Sequence, residues 1–473
     1  MKKISIIALA ISLSACGGGS GTDGITGSAG MGQTRLLQTV TTTPPAAIPS
    51  SEFLAAAYQD GLAEVRLSQL AETRAESEDV KEFARAMIEH HTLLNNEIQQ
   101  LAQRKNITLP TDVSTEQAAE VTRQSSLTGA EFDRNYLRQN VAVHGTDVAD
   151  ALRQAREGSD VDARSLAALA LPVLKTHLAV AEDILNKIDP ASFLVSAYQS
   201  SLAEIEWAQL ALERATDEDV SRFAQQIVED HTEANETIAA LAAQKEVTLP
   251  SELSPEQQAI AEDLARFSDA DFDRAYMDVN VVAHFKAVRY ARTQRGNDGR
   301  DVDVRALARS IEPILAGHLL MASELTQVIE PSFLYSAFQS NLAEIRLAYL
   351  ANFRATNPEV KTFAQRMLSE HTAVLTQLQQ LAQEQNVALP YEMGPEPMLA
   401  FGALLVLRRS DFDERFLQYN ERLHEQAIER FTAETQQPTG TGTQNFAQSL
   451  LPALNAHLTE ARALMQRLGA QSQ

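Results

Sequence analysis

Between residues 80 and 101 apolar positions recur at alternating intervals of four and three: Val80, Ala84, Met87, Leu94, Ile98 and Leu101, with His91 in the middle of the series. This spacing is the inward seam of a helix in a bundle. The same series returns at Val220, Ala224, Ile227, His231, Ala234, Ile238, Leu241, and again at Val360, Ala364, Met367, His371, Val374, Leu378, Leu381. The interval between copies is 140 residues, as EFLAAAYQDGLAEVRLSQLAETRAE (52–76), SFLVSAYQSSLAEIEWAQLALERAT (192–216) and SFLYSAFQSNLAEIRLAYLANFRAT (332–356) also show. A period of that length is a domain and not a solenoid repeat. The chain therefore divides into 51–189, 190–330 and 331–473, with Pro190 and Pro331 at the junctions. So few residues separate the copies that the domains are expected to stack with little freedom.

Within a copy the periodicity predicts four long helices, in the first at 52–75, 79–105, 129–157 and 162–187. A longer connection, from Leu109-Pro110 to Thr128, separates the second helix from the third and contains a short helix near 114–124. One long crossover between the second and third helices predicts an all-α, ferritin-like four-helix bundle, three in tandem.

The polar exceptions on the seams are histidines and glutamates. Nine of the ten histidines fall three per copy at matching places: His91, His144, His177; His231, His284, His318; His371, His424, His457. The first helix of each copy contributes Glu64, Glu204 or Glu344, with a small or short residue one turn earlier (Gly61, Ser201, Asn341) that leaves room beside the carboxylate. All four groups lie near the middles of their helices, so one Glu and three His should converge at the centre of each bundle. Buried imidazole and carboxylate are costly unless paired. A transition metal held by the four side chains satisfies them; so does a metal-free polar core in which they bond to one another and to water. Glu and three His suit Zn, Fe(II), Mn or Cu(II) without choosing among them.

Smaller features attach to this picture. Asn140, Asn280 and Asn420 stand one turn before the third-helix His and either orient the imidazole from behind or reach a backbone carbonyl or solvent. Pro172, Pro313 and Pro452 precede the fourth-helix His by five residues; they aim the His inward by a kink or mark an irregular half-helix. Phe132-Asp133, Phe272-Asp273 and Phe412-Asp413 open the third helix as core anchor and first-turn charge. His90, off the seam, is expected in solvent, and Trp207 in packing. Glu421 in the third copy is a candidate extra ligand.

The repeat resembles a bacterial envelope family catalogued only as a domain of unknown function. The likeness rests on SFLxxAxQxxLAEI, FAxxxxxxHT (FAQQIVEDHT, 223–232), VTLP (247–250), FDRAYM (272–277) followed by His284, and LPxLxxHL (LPVLKTHL, 171–178). The resemblance covers all three copies. It implies a ferritin-like bundle and an outer-membrane or envelope location, with no activity attached. Diiron ferritin-like proteins carry Glu-x-x-His on two helices. Here only Glu421 and His424 stand in that relation, so one metal per bundle fits better than a diiron centre.

Composition adds location and exclusions. Lys2 and Lys3, the apolar run Ile4–Leu13 and Leu-Ser-Ala-Cys at 13–16 resemble a bacterial lipoprotein signal, residues 1–16, with Cys16 as the lipidated residue. The alternative is an ordinary secretory signal with an incidental Cys. Residues 17–50, rich in Gly, Ser, Thr and Pro, read as a flexible linker. By analogy with lipoprotein sorting, Gly17 points to the outer membrane, facing the periplasm. No later segment is expected to span a membrane. The single Cys excludes an intrachain disulfide and a thiolate metal site, and a net charge of −23 argues against nucleic acid. A lipid anchor is the one partner implied. No nucleophile, base and acid set and no nucleotide motif is present, and four side-chain ligands would close a tetrahedral site. The expected function is metal storage, buffering or stress protection in the envelope; the alternative is a structural or protein-interaction module whose Glu/His cluster is a polar lock.

Overall fold

The computed structural model describes residues 49–296, 301–407, 409–437 and 442–471; the expected signal, Cys16 and most of the linker lie outside them. Fifteen helices and no strand occur among the described residues. The first bundle consists of α1 (Ser50–Arg74), α2 (Glu78–Lys105), the short α3 (Thr115–Ser125), α4 (Gly129–Glu157) and α5 (Val161–Ile188). The second repeats this as α6 (Pro190–Arg214), α7 (Glu218–Gln244), α8 (Pro255–Leu264), α9 (Asp269–Arg295) and α10 (Val302–Val328). The third runs α11 (Phe333–Arg354), α12 (Pro358–Gln385), α13 (Pro395–Val406), α14 (Arg409–Thr435) and α15 (Gly442–Gln471).

Side-chain caps fix how the helices run. Asp133, just past the first turn of α4, accepts from the backbone N–H of Glu76 (3.1 Å) and Ser77 (2.9 Å), where α2 begins. Asp273 and Asp413 do the same at Thr216–Asp217 and Thr356–Asn357. This corrects the first-turn role read for these aspartates: each serves the orphan donors of a neighbouring helix, while Phe132, Phe272 and Phe412 are the fully buried anchors. It also places the starts of α2 and α4 together, so the two are parallel and the connection through α3 runs the length of the bundle. At the other end Lys105 Nζ donates to Asp160 (2.6 Å), tying the end of α2 to the start of α5. That is the ferritin-like crossover.

Two expectations change. The seam of the second helix turns by one residue after the histidine: Asn95, Asn235 and Leu375 are buried, where Leu94, Ala234 and Val374 were expected. A straight helix at 3.6 residues per turn drifts away from a strict 3.5-residue seam. The second change concerns α5, which is apolar and long enough, by length and composition, to cross a membrane. In the fold it is a core helix. One face lines its own bundle; the other packs against α6 and α9 of the second bundle and α11 and α13 of the third. A helix apolar on nearly all sides is what burial on both faces requires. The three bundles thus meet around α5 instead of standing in a row. Arg346 of α11 seals the contact from a fully buried position, its Nε donating to the Ala168 carbonyl (2.8 Å) and its Nη2 to that of Tyr391 (2.6 Å).

Candidate metal centre

Each bundle brings its four predicted groups together. In the first, Glu64 Oε2 lies 2.8 Å from His91 Nδ1, and Oε1 lies 3.3 Å from His144 Nδ1. His177 Nδ1 is 3.2 Å from His91 Nε2 and 3.3 Å from His144 Nε2. In the second, Glu204 Oε2 is 3.1 Å from both His231 Nε2 and His284 Nε2, and His284 Nε2 is 3.2 Å from His318 Nδ1. In the third, Glu344 Oε1 is 3.1 Å from His424 Nδ1, and His424 Nε2 is 3.3 Å from His457 Nδ1. One nitrogen from each His of every trio, His371 included, falls within 4.8 Å of the others, and all twelve side chains are buried.

The imidazole spacings in all three bundles, and those of Glu204 in the second, fit a shared ion; Glu64 and Glu344 face Nδ1 of His144 and His424, on the far side of those rings from the other histidines. Ligands at 2.0–2.1 Å around a tetrahedral metal stand about 3.3 Å apart. The alignment fits as well. Glu204 Oε2 and His231 Nε2 are 3.1 Å apart, yet neither makes a hydrogen bond; Glu344 Oε1 and Oε2 and His371 Nε2 are likewise sealed from solvent without one. Buried polar atoms are rarely left so. Atoms at contact distance that share no aligned proton could hold one ion between them.

The nitrogens that face away from the other imidazoles are held from behind. The Nδ1–H groups of His144, His284 and His424 donate to the backbone carbonyls of Asn140 (3.0 Å), Asn280 (3.0 Å) and Asn420 (2.8 Å). The main chain at the asparagine positions, not the asparagine side chain, holds these imidazoles. The side-chain amides of Asn140 and Asn280 donate to the carbonyls of Tyr136 and Tyr276. The fourth-helix histidines are held through Nε2: His318 donates to Asp230 (2.8 Å), His457 donates to Glu370 (2.6 Å), and His177 shares a hydrogen bond with His90 Nδ1 (2.8 Å). His90 is therefore not the solvated residue expected from its place off the seam. It, Asp230 and Glu370 occupy one position, just before the second-helix His. The recurrence there of a residue able to hydrogen-bond was the available signal.

The second-helix histidine is held from α6 and α11. Ser201 Oγ donates to the carbonyl of His231 (3.0 Å) and accepts from its Nδ1–H (3.1 Å). Asn341 does both through its amide, with Nδ2 donating to the His371 carbonyl (2.9 Å) and Oδ1 accepting from Nδ1–H (2.8 Å). The space beside the carboxylate is thus filled by a clamp in two copies. In the first, Gly61 offers no side chain; Asn95 packs so close that a Cβ at 61 would overlap it, and His91 turns Nδ1 to Glu64. Glu421, the candidate extra ligand, is engaged elsewhere: Arg462 Nε donates to it at 2.6 Å on the outer side of α14.

Burial favours the neutral form of most of these imidazoles. Burial holds His144, His177, His284 and His371 below the ordinary value and pushes His231 down to about 3. Burial also pushes His90 down to about 4. His424 is the exception: burial opposes its charge, but the Glu344 carboxylate raises it. Burial likewise opposes ionisation of Glu64, yet His91 and His144 hold it below the usual range, whereas burial raises Glu204 to about 8. A neutral imidazole whose outer nitrogen carries the proton offers its inner lone pair, the ligating form.

The profile of a family described as Domain of unknown function (DUF4142) matches residues 36–184, 185–325 and 326–464. No curated protein and no solved structure matches the chain.

Proposed function

The chain belongs to the DUF4142 family in all three of its domains, and we propose that each domain binds one transition-metal ion through one Glu and three His. The ligand sets are Glu64, His91, His144, His177; Glu204, His231, His284, His318; and Glu344, His371, His424, His457. The observation that carries this reading is the pairing of orphaned inner atoms with satisfied outer ones. A metal-free polar lock would use its protons to join the four groups; in the second and third bundles those protons point away, to Asn280, Asp230, Ser201 and their counterparts, and in the first His91 alone turns Nδ1 to its glutamate. A bound ion would supply positive charge that lets the buried Glu204 ionise. Four side-chain ligands suit retention of the ion, hence storage, buffering or protection from metal stress.

We further read the chain as an envelope lipoprotein anchored through Cys16 and facing the periplasm. Support comes from Lys2, Lys3, the apolar run after them and the residues around Cys16. Palmitate labelling of the full chain, lost in Cys16→Ser, checks that reading.

Elemental analysis of the tag-free full chain, dialysed against a mild chelator, tests the metal. About three tightly held ions per chain, absent in the triple variant Glu64/Glu204/Glu344→Ala, are expected. A metal-free chain that takes up neither Zn, Fe, Mn nor Cu would overturn the proposal and leave the cluster as a core network.

A further inference from the structure

The three bundles differ sharply in the layer beside the centre. One turn before the first-helix Glu and one and two turns beyond the third-helix His, the first bundle carries Asp60, Asp147 and Asp150. The second has Ser200, Ala287 and Tyr290 there, and the third Ser340, Ala427 and Arg430. In the third the layer is closed by Arg430, whose Nη2 donates to Ser340 Oγ (2.6 Å). In the second it is a cavity of about 50 Å³, bounded by Ser200, Ala287 and Tyr290 and reaching Glu204 and His231. Only the first bundle lines the layer with carboxylates.

One of those carboxylates, Asp147, reaches the centre itself. An oxygen of Glu64, a nitrogen of His144 and an oxygen of Asp147 lie within 4.8 Å of one another. Asp147 accepts no hydrogen bond from the described residues. Glu64 is 6% exposed; Oε2 is taken by His91 Nδ1, but Oε1 is sealed from solvent without a hydrogen bond. Its nearest nitrogen, His144 Nδ1 at 3.3 Å, gives its proton to the Asn140 carbonyl. Asp60, one turn from Glu64, accepts from Gln117 Nε2 (2.6 Å) through one oxygen and has the other to offer. Asp150, bonded to Arg153 at 3.0 Å, stands at the half-exposed outer edge. Carboxylates gathered in this way repel unless a cation lies among them.

We propose that the first bundle binds a second divalent cation, joined to the Glu64–His91–His144–His177 centre through Glu64 and held otherwise by Asp147 and Asp60. The first cation rests on the function proposed above; the second is new to this bundle. Its ligands are oxygens, which select Mn²⁺ or Fe²⁺ over softer ions. The chain then carries one paired centre and two single ones.

Manganese is the probe. The full chain is equilibrated with Mn²⁺, freed of loose ions by gel filtration and counted by mass spectrometry, with electron paramagnetic resonance recorded on the same samples. Four ions per chain and an exchange-coupled pair signal are expected. Asp147→Ala should hold three and lose the pair signal. Asp60→Ser should weaken the fourth ion at least tenfold and shrink that signal. Both variants place in the first bundle what the other bundles already contain, and circular dichroism checks their folding. Three ions in wild type and variants alike would overturn the second cation while leaving the three Glu–His centres standing. Four in every protein would place the extra ion elsewhere and overturn it too. None in any protein removes both readings together.

Discussion

Replacing Glu204 by Leu separates a metal centre from a polar lock by the sign of its effect. Burial raises the Glu204 carboxyl from 4.5 to about 8, and its Oε2 makes no hydrogen bond. Because the folded value lies above the unfolded one, the penalty is absent below pH 4.5 and grows until the pH passes the folded value. At about 1.4 kcal/mol per pH unit, keeping the group protonated in the folded chain at pH 7 costs ~3 kcal/mol. Without metal, Glu204→Leu should therefore stabilise the second bundle by about that amount at pH 7, and by almost nothing at pH 4.5. With metal the order reverses. An ion at one thousand times its dissociation constant stabilises the wild type by about 4.1 kcal/mol, more than the ~3 kcal/mol penalty, and a centre that lacks its carboxylate gains far less. Trp207, the only tryptophan of the chain, is buried one turn from Glu204 in the core of this bundle, so its fluorescence during urea unfolding reports the second bundle alone. The assay is run on chelator-treated chain at pH 4.5 and 7, then with added zinc. A variant less stable than wild type at pH 7 without metal would refute the reasoning, since that is how a hydrogen-bonded network responds to losing a member.

Other consequences are open to the same measurements. Asp230→Ala removes the acceptor behind His318 and should weaken metal binding in the second bundle by about 10–100-fold, read by competition with a chelating dye, while the other two centres are unchanged. Asp273→Ala leaves the backbone donors of Thr216 and Asp217 unpaired and should cost about 1–2 kcal/mol, measured by the Trp207 urea midpoint. Arg346→Met strips two buried carbonyls of a charged donor, at about 1.5–3 kcal/mol for each bond; limited proteolysis should then cut between the bundles where the wild type resists.

Much of this was readable before any coordinates. The spacing of Val80, Met87, His91 and Ile98 identified a helix, its inward face and the level of its histidine, because periodicity and height along a helix are one-dimensional quantities. The convergence of Glu64, His91, His144 and His177 followed from them. What escaped was lateral. His90 is one residue off the seam, and whether it points to water or to the back of His177 depends on how closely α5 approaches α2. Asp133 was read within its own helix, but its partners lie 56 and 57 residues away. The apolar character of α5 is visible in the sequence; the neighbours that cover its outer face come from two later copies, which no local pattern specifies. Ser201 and Asn341 were seen as small residues leaving space, when their polar atoms are what fills it.

The double-sided burial of α5 sets a timetable for synthesis. The helix is complete at Ile188, but α11, which helps cover its outer face, begins at Phe333. At about 5–20 residues per second, the ribosome takes roughly 7–30 s to supply that cover. Throughout this interval α5, the one described helix long and apolar enough to cross a membrane, has only its own bundle and the emerging second one to hide against. A nascent chain stalled before the third copy would display that surface, making it the stage at which a holding chaperone has the most to grip.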